Sequence, residues 1–386
     1  MLDKVIFINS HPIQYFVPLY QYLTIHKCPV EAWYCSDENV GGHFDRQFNT
    51  NVSWDIPLTE GYKALFFRNV SWHKTLYGGF FGLINPGLLL SLWREKRALV
   101  VIHGWGYFTH AAAIVIGCLA GHRICIRGES PWNQEQGKSR VLRFAKTVVL
   151  RHFLFRFVHR FLYIGEQNRQ FYRHYGVAVD KMRFMPYSVD NDRFQQAALQ
   201  LRHSPSVVRM RWGIPEHARV VLFVAKYIPK KRPLDLLQAI ALVQDPNLYT
   251  IMVGEGPMRT ALEDFIREKG LRGVILTGFV NQTELAAYYA AADIFVLCSG
   301  VGETWGLSVN EAMNFDLPVV ISSTAGCSAD LVRMGENGYV FREGDVLDLS
   351  ECIRRSFTCD GTKSRKLVDQ YSFNHIMEVI NKELSL

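Results

Sequence analysis

The chain has 386 residues, long for one domain and enough for two of roughly 150 to 200 residues that each bury their own core. Hydrophobic residues make up 48% and charged residues 20%, which excludes a disordered chain. A formal net charge of +7 favours anionic partners without choosing among nucleotide, anionic lipid and nucleic acid, although no nucleic-acid-binding module is visible.

In chain order, Lys4 to Ile8 reads as a first strand, and it begins too close to Met1 to leave room for the apolar core of a secretory signal. The eight cysteines (28, 35, 118, 125, 298, 327, 352 and 359) form no C-x-x-C pair, and several lie inside apolar runs. Buried thiols in a reducing cytosol are therefore expected. In the loop Asn9 to Tyr15, His11 and Gln14 are placed to face a ligand, although a histidine before Pro12 is equally an ordinary turn residue. Leu76 to Trp93 is the longest apolar stretch. Asn85-Pro86-Gly87 interrupts it, so it predicts a loop and a core-facing helix rather than a membrane span.

Strands at Leu99–Ile102 and Arg123–Ile126 end in His103-Gly104-Trp105-Gly106 and Arg127-Gly128-Glu129-Ser130, at the sheet edge where functional loops gather. Glu129 or His103 is a candidate general base by position only, and Arg127 with Glu129 reads equally well as a salt-bridged pair. No acid occurs from Lys138 to Tyr163. Within that run Arg140, Arg143, Lys146 and Arg151 share one side of a predicted helix, and Leu142, Phe144, Val148, Val149, Phe153 and Phe155 the other. Such a helix suits an anionic bilayer surface, or a core contact with a solvated basic face. A further strand is expected at Arg160 to Ile164.

The domain boundary is placed at Met185 to Asp190, followed by a polar, irregular stretch from Gln195 to Val208. Asp190-Asn191-Asp192 has the spacing of a metal-binding D-x-D pair but stands at a linker. A second series of strands follows at Val220–Val224, Thr250–Val253, Gly273–Leu276, Asp293–Leu297 and Pro318–Ile321. Two series of apolar strands alternating with helices predict an α/β protein of two Rossmann-like, doubly wound parallel-sheet domains, with ligands outside the carboxyl ends of the strands and the interdomain cleft as the expected site. Lys226 and Lys231 flank a turn after one strand and would neutralise the charge on a diphosphate leaving group, if they are not a solvated basic loop. Gly254 and Gly256 permit close backbone approach to a nucleotide. Gly302 to Met313 combines a turn, Glu303, a helix start and Glu311. The helix amides near Thr304, Trp305, Gly306 and Leu307 favour an anion such as a diphosphate, which would repel the two carboxylates, so these are read as acceptors of hydrogen bonds from neutral hydroxyls. A capped surface helix with two solvated acids is the alternative. Ser372 to Leu384 predicts a final helix with a serine N-cap.

Glu303 and Glu311, eight positions apart around Trp305-Gly306-Leu307, resemble the E-x7-E signature of retaining GT-B glycosyltransferases of the GT4 group (glycosyl transferases group 1). Phe223 to Pro233 is similar to the family's G-R-x-x-x-x-K element, Val253 to Pro257 to its G-x-G-P turn, and Gly335 to Gly338 to its late turn, all in the same order. The resemblance implies an acceptor domain over 1–187, a nucleotide-sugar domain over 188–370, and a helix over 371–386 that crosses back. It implies that Glu311 holds ribose, Glu303 the donor sugar, Lys226 and Lys231 the diphosphate, and the main chain at Val280 the base, with UDP favoured and no metal or other cofactor required. A saccharide or lipid-linked acceptor is expected with this likeness, while the cysteine pattern points to a cytoplasmic location and the basic helix to a peripheral place at the membrane's inner face. The chain departs from the pattern in three places: Ala225-Lys226 replaces Gly-Arg, the first loop at Asn9 to Tyr15 lacks its glycines, and Arg127 stands where many relatives carry histidine. A sugar-nucleotide epimerase of the same architecture, and a catalytically silent nucleotide-binding partner subunit, remain the alternatives.

Overall fold

The computed structural model describes residues 2–38, 40–45, 50–52, 55–201 and 206–386. The chain divides into two compact units, one of Met1–Gly41, Pro57–Tyr187 and Ser372–Leu386, the other of Gly42–Ile56 and Ser188–Tyr371. The strands up to residue 184 are β1 (Val5–Asn9), β2 (Val30–Tyr34), β3 (His43–Asp45), β4 (Thr50–Val52), β5 (Lys63–Phe66), β6 (Leu99–Ile102), β7 (Arg123–Ile126), β8 (Arg160–Tyr163) and β9 (Met182–Phe184). Beyond them come β10 (Arg219–Val224), β11 (Leu248–Val253), β12 (Val274–Gly278), β13 (Ile294–Leu297), β14 (Val319–Ser322) and β15 (Gly338–Phe341).

Among the described residues, the first unit holds a seven-stranded sheet in the order β5-β2-β1-β6-β7-β8-β9, and the second a six-stranded sheet in the order β12-β11-β10-β13-β14-β15. Every pairing in both is parallel. β3 and β4 form a separate antiparallel hairpin. In each unit the chain builds outward from its first sheet strand, then returns to build on the other side. The order therefore reverses between β1 and β6 and between β10 and β13, and at such a point the two neighbouring connections leave to opposite faces and open a crevice. The four apolar residues VIFI that open β1, and IFVL in β13, are buried throughout, as a sheet covered on both faces requires.

β2 was not among the sequence-predicted strands, because Glu31 interrupts its apolar run. The structure buries that glutamate with Lys4 at 3.0 Å, Lys63 at 2.7 Å and the Trp33 indole N–H at 3.0 Å. Burial alone would raise its pKa, but the bonds from Lys63, Trp33 and Lys4 outweigh it and hold the carboxyl below its ordinary value.

Three further expectations are corrected or refined. Gln195 to Leu201, expected to be irregular, belongs to a helix over Asn191–Leu201, while residues 202–205 lie outside the described residues. Asp190 Oδ1 accepts the Arg193 N–H at 3.0 Å at the start of that helix, and burial raises the Asp190 pKa. Leu76 to Trp93 resolves into a 3-10 turn (Phe80–Gly82) and a helix (Pro86–Arg94) that buries Leu88 and Leu92. No helix among the described residues is long and apolar enough to cross a membrane.

Of the two readings of the helix Arg140–His152, the core contact of its apolar side is not what the structure shows, since that side is exposed and so are Arg140 and Arg151. Its inner side carries Leu150 and Lys146, whose ammonium sits 2.8 Å from the buried Glu135 and over the rings of Phe171 and Tyr175. Glu135 accepts the Tyr175 hydroxyl at 2.8 Å and pairs with Lys138 at 2.5 Å as well as with Lys146, so Lys146 is held inward while Val141, Phe144, Val148 and Val149 are exposed. The final helix, Phe373–Ser385, is capped by Ser372 and groups with the first unit. Its Glu383 is buried near Arg160 and Arg183, and the Leu384 carbonyl accepts from the Leu2 N–H at 3.1 Å.

Candidate functional site

The second unit assembles its site from the loops that follow β10 and β13, the two strands that flank its switch point. Ala225 N–H continues the ladder to the Val253 carbonyl at 3.1 Å, and Tyr227 N–H bonds Glu255 O at 2.8 Å. The Tyr227 hydroxyl, buried, reaches Met252 O at 2.6 Å. The G-x-G-P turn thus braces the loop that carries Lys226. Gly254 has φ +151°, and a Cβ there would run into the Ala225 carbonyl oxygen. This glycine admits the neighbouring loop, where the sequence reading had it admit a ligand. Gly256 takes part in the same turn, its N–H bonded to the Glu255 carboxylate at 3.0 Å.

Past Tyr227 the chain makes a 3-10 turn, Pro229–Lys231, and enters the helix Pro233–Val243 through Arg232. Arg232 is held by Asp235 at 2.7 Å and Glu343 at 3.7 Å. Gly300 N–H bonds Lys230 O at 2.8 Å and ties this turn to the loop after β13. Across that junction the Lys231 ammonium pairs with the carboxylate of Glu303. Burial would raise the Glu303 pKa, but the ammoniums of Lys231 and Lys230 outweigh it and hold the carboxyl below its ordinary range. Glu303 O also receives the Gly326 N–H at 3.2 Å, which fixes the backbone just before Thr304.

Trp305 is buried, with its indole N–H on Asn310 Oδ1 at 2.8 Å and its ring 5.7 Å from that of Tyr371. Its side chain is thus part of the packing, and only its backbone belongs to the helix start. Gly306, at φ +108°, turns the chain into the helix Leu307–Met313. That helix carries Glu311, 1% exposed, which accepts the Tyr289 hydroxyl at 2.6 Å. The two carboxylates of the sequence motif therefore have separate roles: Glu303 is ion-paired and Glu311 already accepts one hydroxyl. Tyr289, on the helix Gln282–Ala290, and Lys230 were not identified from sequence. Lys230 adjoins the predicted Lys231 and could have been; a buried tyrosine among alanines carries no local signal. Val280 follows β12 immediately before Asn281, whose side chain caps the same helix. Three lysines on one loop and the first amides of a helix on the other give the switch point a cationic character suited to an anionic ligand.

In the first unit His103, Arg127 and Glu129 lie at the carboxyl ends of β6 and β7. Arg127 is 1% exposed; it donates to Pro186 O at 3.0 Å and lies over the rings of Tyr187 and Phe16 at 4.6 and 5.4 Å. Glu129 accepts from the Tyr187 hydroxyl at 2.7 Å, so Tyr187 contacts both residues of the proposed salt bridge. The His103 ring packs 4.4 Å from that of Phe16, and its Nε2 is 3.4 Å from the Tyr20 hydroxyl. Burial first, then Arg127 and His110, hold its pKa well below the ordinary 6.5 and keep the imidazole neutral. His11 contacts Ser10 at 2.9 Å, and Gln14 is half-buried in the turn before the first helix. Among the described residues no group of three or more His, Cys, Asp or Glu could hold a metal.

Two doubly wound parallel sheets define the GT-B class of α/β proteins. The structure of Anabaena Alr3699/HepE in complex with UDP shares this fold, with a TM-score of 0.73, 16% identity and 99% of each chain covered. Residues 207–374 match the family Glycosyl transferases group 1. The chain is 34% identical over 178 residues to a D-inositol 3-phosphate glycosyltransferase of Nocardioides sp., covering 42% of this chain and 38% of that protein. It is 32% identical over 180 residues to the sulfoquinovosyl transferase SQD2 of Arabidopsis thaliana, covering 46% and 33%. The matched region is thus less than half the length of either relative.

Proposed function

We propose that the protein is a retaining glycosyltransferase that moves a sugar from a nucleotide-sugar, with UDP favoured, to a saccharide or lipid-linked acceptor in the assembly of cell-surface polysaccharide or glycoconjugate. The observation that carries this reading is the pairing of Lys231 with Glu303 at the switch point of the second unit, beside the helix that bears Glu311. The structural neighbour in complex with UDP supports the choice of base.

In this reading the Glu311 carboxylate accepts hydrogen bonds from the ribose hydroxyls and Glu303 from the donor sugar, while Lys226, Lys231 and the amides near Gly306 and Leu307 meet the diphosphate. The bond between the sugar's anomeric carbon and the diphosphate oxygen breaks, and the acceptor oxygen forms its bond on the same face. The acceptor proton leaves to a base or to the departing phosphate. Because Lys226 replaces an arginine, the contact there is a single-point charge instead of a two-pronged one. The lysines and amides carry the leaving-group charge without a metal.

A thermal-shift series with UDP, GDP, ADP and their sugars tests the donor. A ligand at a hundred times its dissociation constant stabilises the native state by about 2.7 kcal/mol. The expected result is a rise in midpoint with UDP or a UDP-sugar; a response to another base alone would change the donor, and no response to any would remove the nucleotide reading.

A further inference from the structure

The helix Arg140–His152 presents its apolar side chains to solvent. Val141 is 79% exposed, Phe144 72% and Val149 56%, and Phe153 continues the stripe at 59%. An isolated exposed leucine or valine is ordinary, whereas a run along one face of a helix marks a surface that something covers. Arg140 and Arg151 are also exposed and border this run, and no acid occurs from Lys138 to Tyr163. The inner side is fixed by Leu150 and by Lys146, which shares the buried Glu135 with Lys138 and lies over the rings of Phe171 and Tyr175, so rolling the helix to bury the stripe would break the Lys146 contacts.

We infer that this face lies in the surface of an anionic bilayer, with Val141, Phe144, Val148 and Val149 among the upper acyl chains and Arg140 and Arg151 at the lipid phosphates. The charge pattern selects that occupant. A second copy meeting this face through two-fold symmetry would set the same acid-free, basic border against itself, and a neutral bilayer offers no counter-charge. The inference rests on the first unit alone and holds whether or not the donor reading does.

The test is co-sedimentation of the full chain with vesicles of phosphatidylcholine, with and without phosphatidylglycerol, at low and physiological salt. The wild type is expected on the anionic vesicles and far less on the neutral ones. Phe144→Ser with Val148→Ser should lose binding at both salts. Arg140→Gln with Arg151→Gln should weaken it about 25-fold at low salt, at about five-fold per arginine, and less at physiological salt, where charge is screened beyond about 8 Å. All these side chains are exposed, so the variants should keep the wild-type thermal midpoint, which is measured alongside. Wild-type protein that stays off anionic vesicles at low salt, or folded variants that bind as the wild type does, would overturn the inference. So would a wild-type dimer in light scattering that Phe144→Ser with Val148→Ser converts to monomer without any vesicle binding by the wild type, since a second copy would then be the occupant.

Discussion

Glu303 and Glu311 are both buried carboxylates, but their partners differ in kind. A hydrogen bond to a charged group is worth roughly 1.5 to 3 kcal/mol, enough to separate ground-state from transition-state roles by kinetics. Glu311→Ala is expected to weaken nucleotide binding, because ribose contacts persist through the reaction. Glu303→Ala should lower turnover more than affinity, because sugar positioning matters most at the transition state. Calorimetric binding of UDP alongside steady-state rates separates the two, and equal effects of both variants on both quantities would refute the assignment. His110 supplies a second residue-level test. It is 2% exposed, and burial lowers its pKa from 6.5 to about 4. Its folded pKa lies below the unfolded one, so the stability it contributes is complete above pH 6.5 and is lost as the pH falls towards about 4. The loss is about 1.4 kcal/mol per pH unit for one proton. Thermal midpoints of the wild type should therefore fall more steeply through that window than those of His110→Leu; parallel curves would count against it.

At the level of the element, the loop after β10 is shaped by its neighbour. Gly254 sits at a positive φ against the Ala225 carbonyl, and the Tyr227 N–H and hydroxyl bond the strand and turn on either side of it. Gly254→Ala is expected to cost about 1 to 3 kcal/mol in backbone strain and to displace Lys226. A denaturant midpoint unchanged from wild type would show that the loop accommodates the methyl group. The helix Arg140–His152 shows the opposite balance. A core contact of its apolar side would bury Phe144 and Val148, but Lys146 turns inward to share the buried Glu135 with Lys138, and those two side chains stay exposed.

For the whole molecule, the strand order of each unit decides where chemistry can gather: at the carboxyl ends of β1 and β6, and of β10 and β13. With lysines and helix amides at the second of these points, sugar transfer is expected to survive EDTA undiminished. Loss of activity that manganese or magnesium restores would return Asp190 and Asp192 to consideration as ligands, although Asp190 is engaged as a helix cap.

The sequence by itself determined the two series of parallel strands, the loops that bear Lys231 and Glu303, and the likeness to glycosyl transferases group 1, because apolar runs, turn residues and short spacings are local properties. β2 stayed hidden because Glu31 breaks its apolar pattern, and only ion pairs supplied from Lys4 and Lys63 make that burial tolerable. Tyr289 at Glu311, Tyr187 between Arg127 and Glu129, and the role of Gly254 were decided by the tertiary structure, as was the outward face of the helix Arg140–His152. In each case a buried polar or charged group had to find a partner distant in sequence, and which partner it found depends on how the strands and helices are packed.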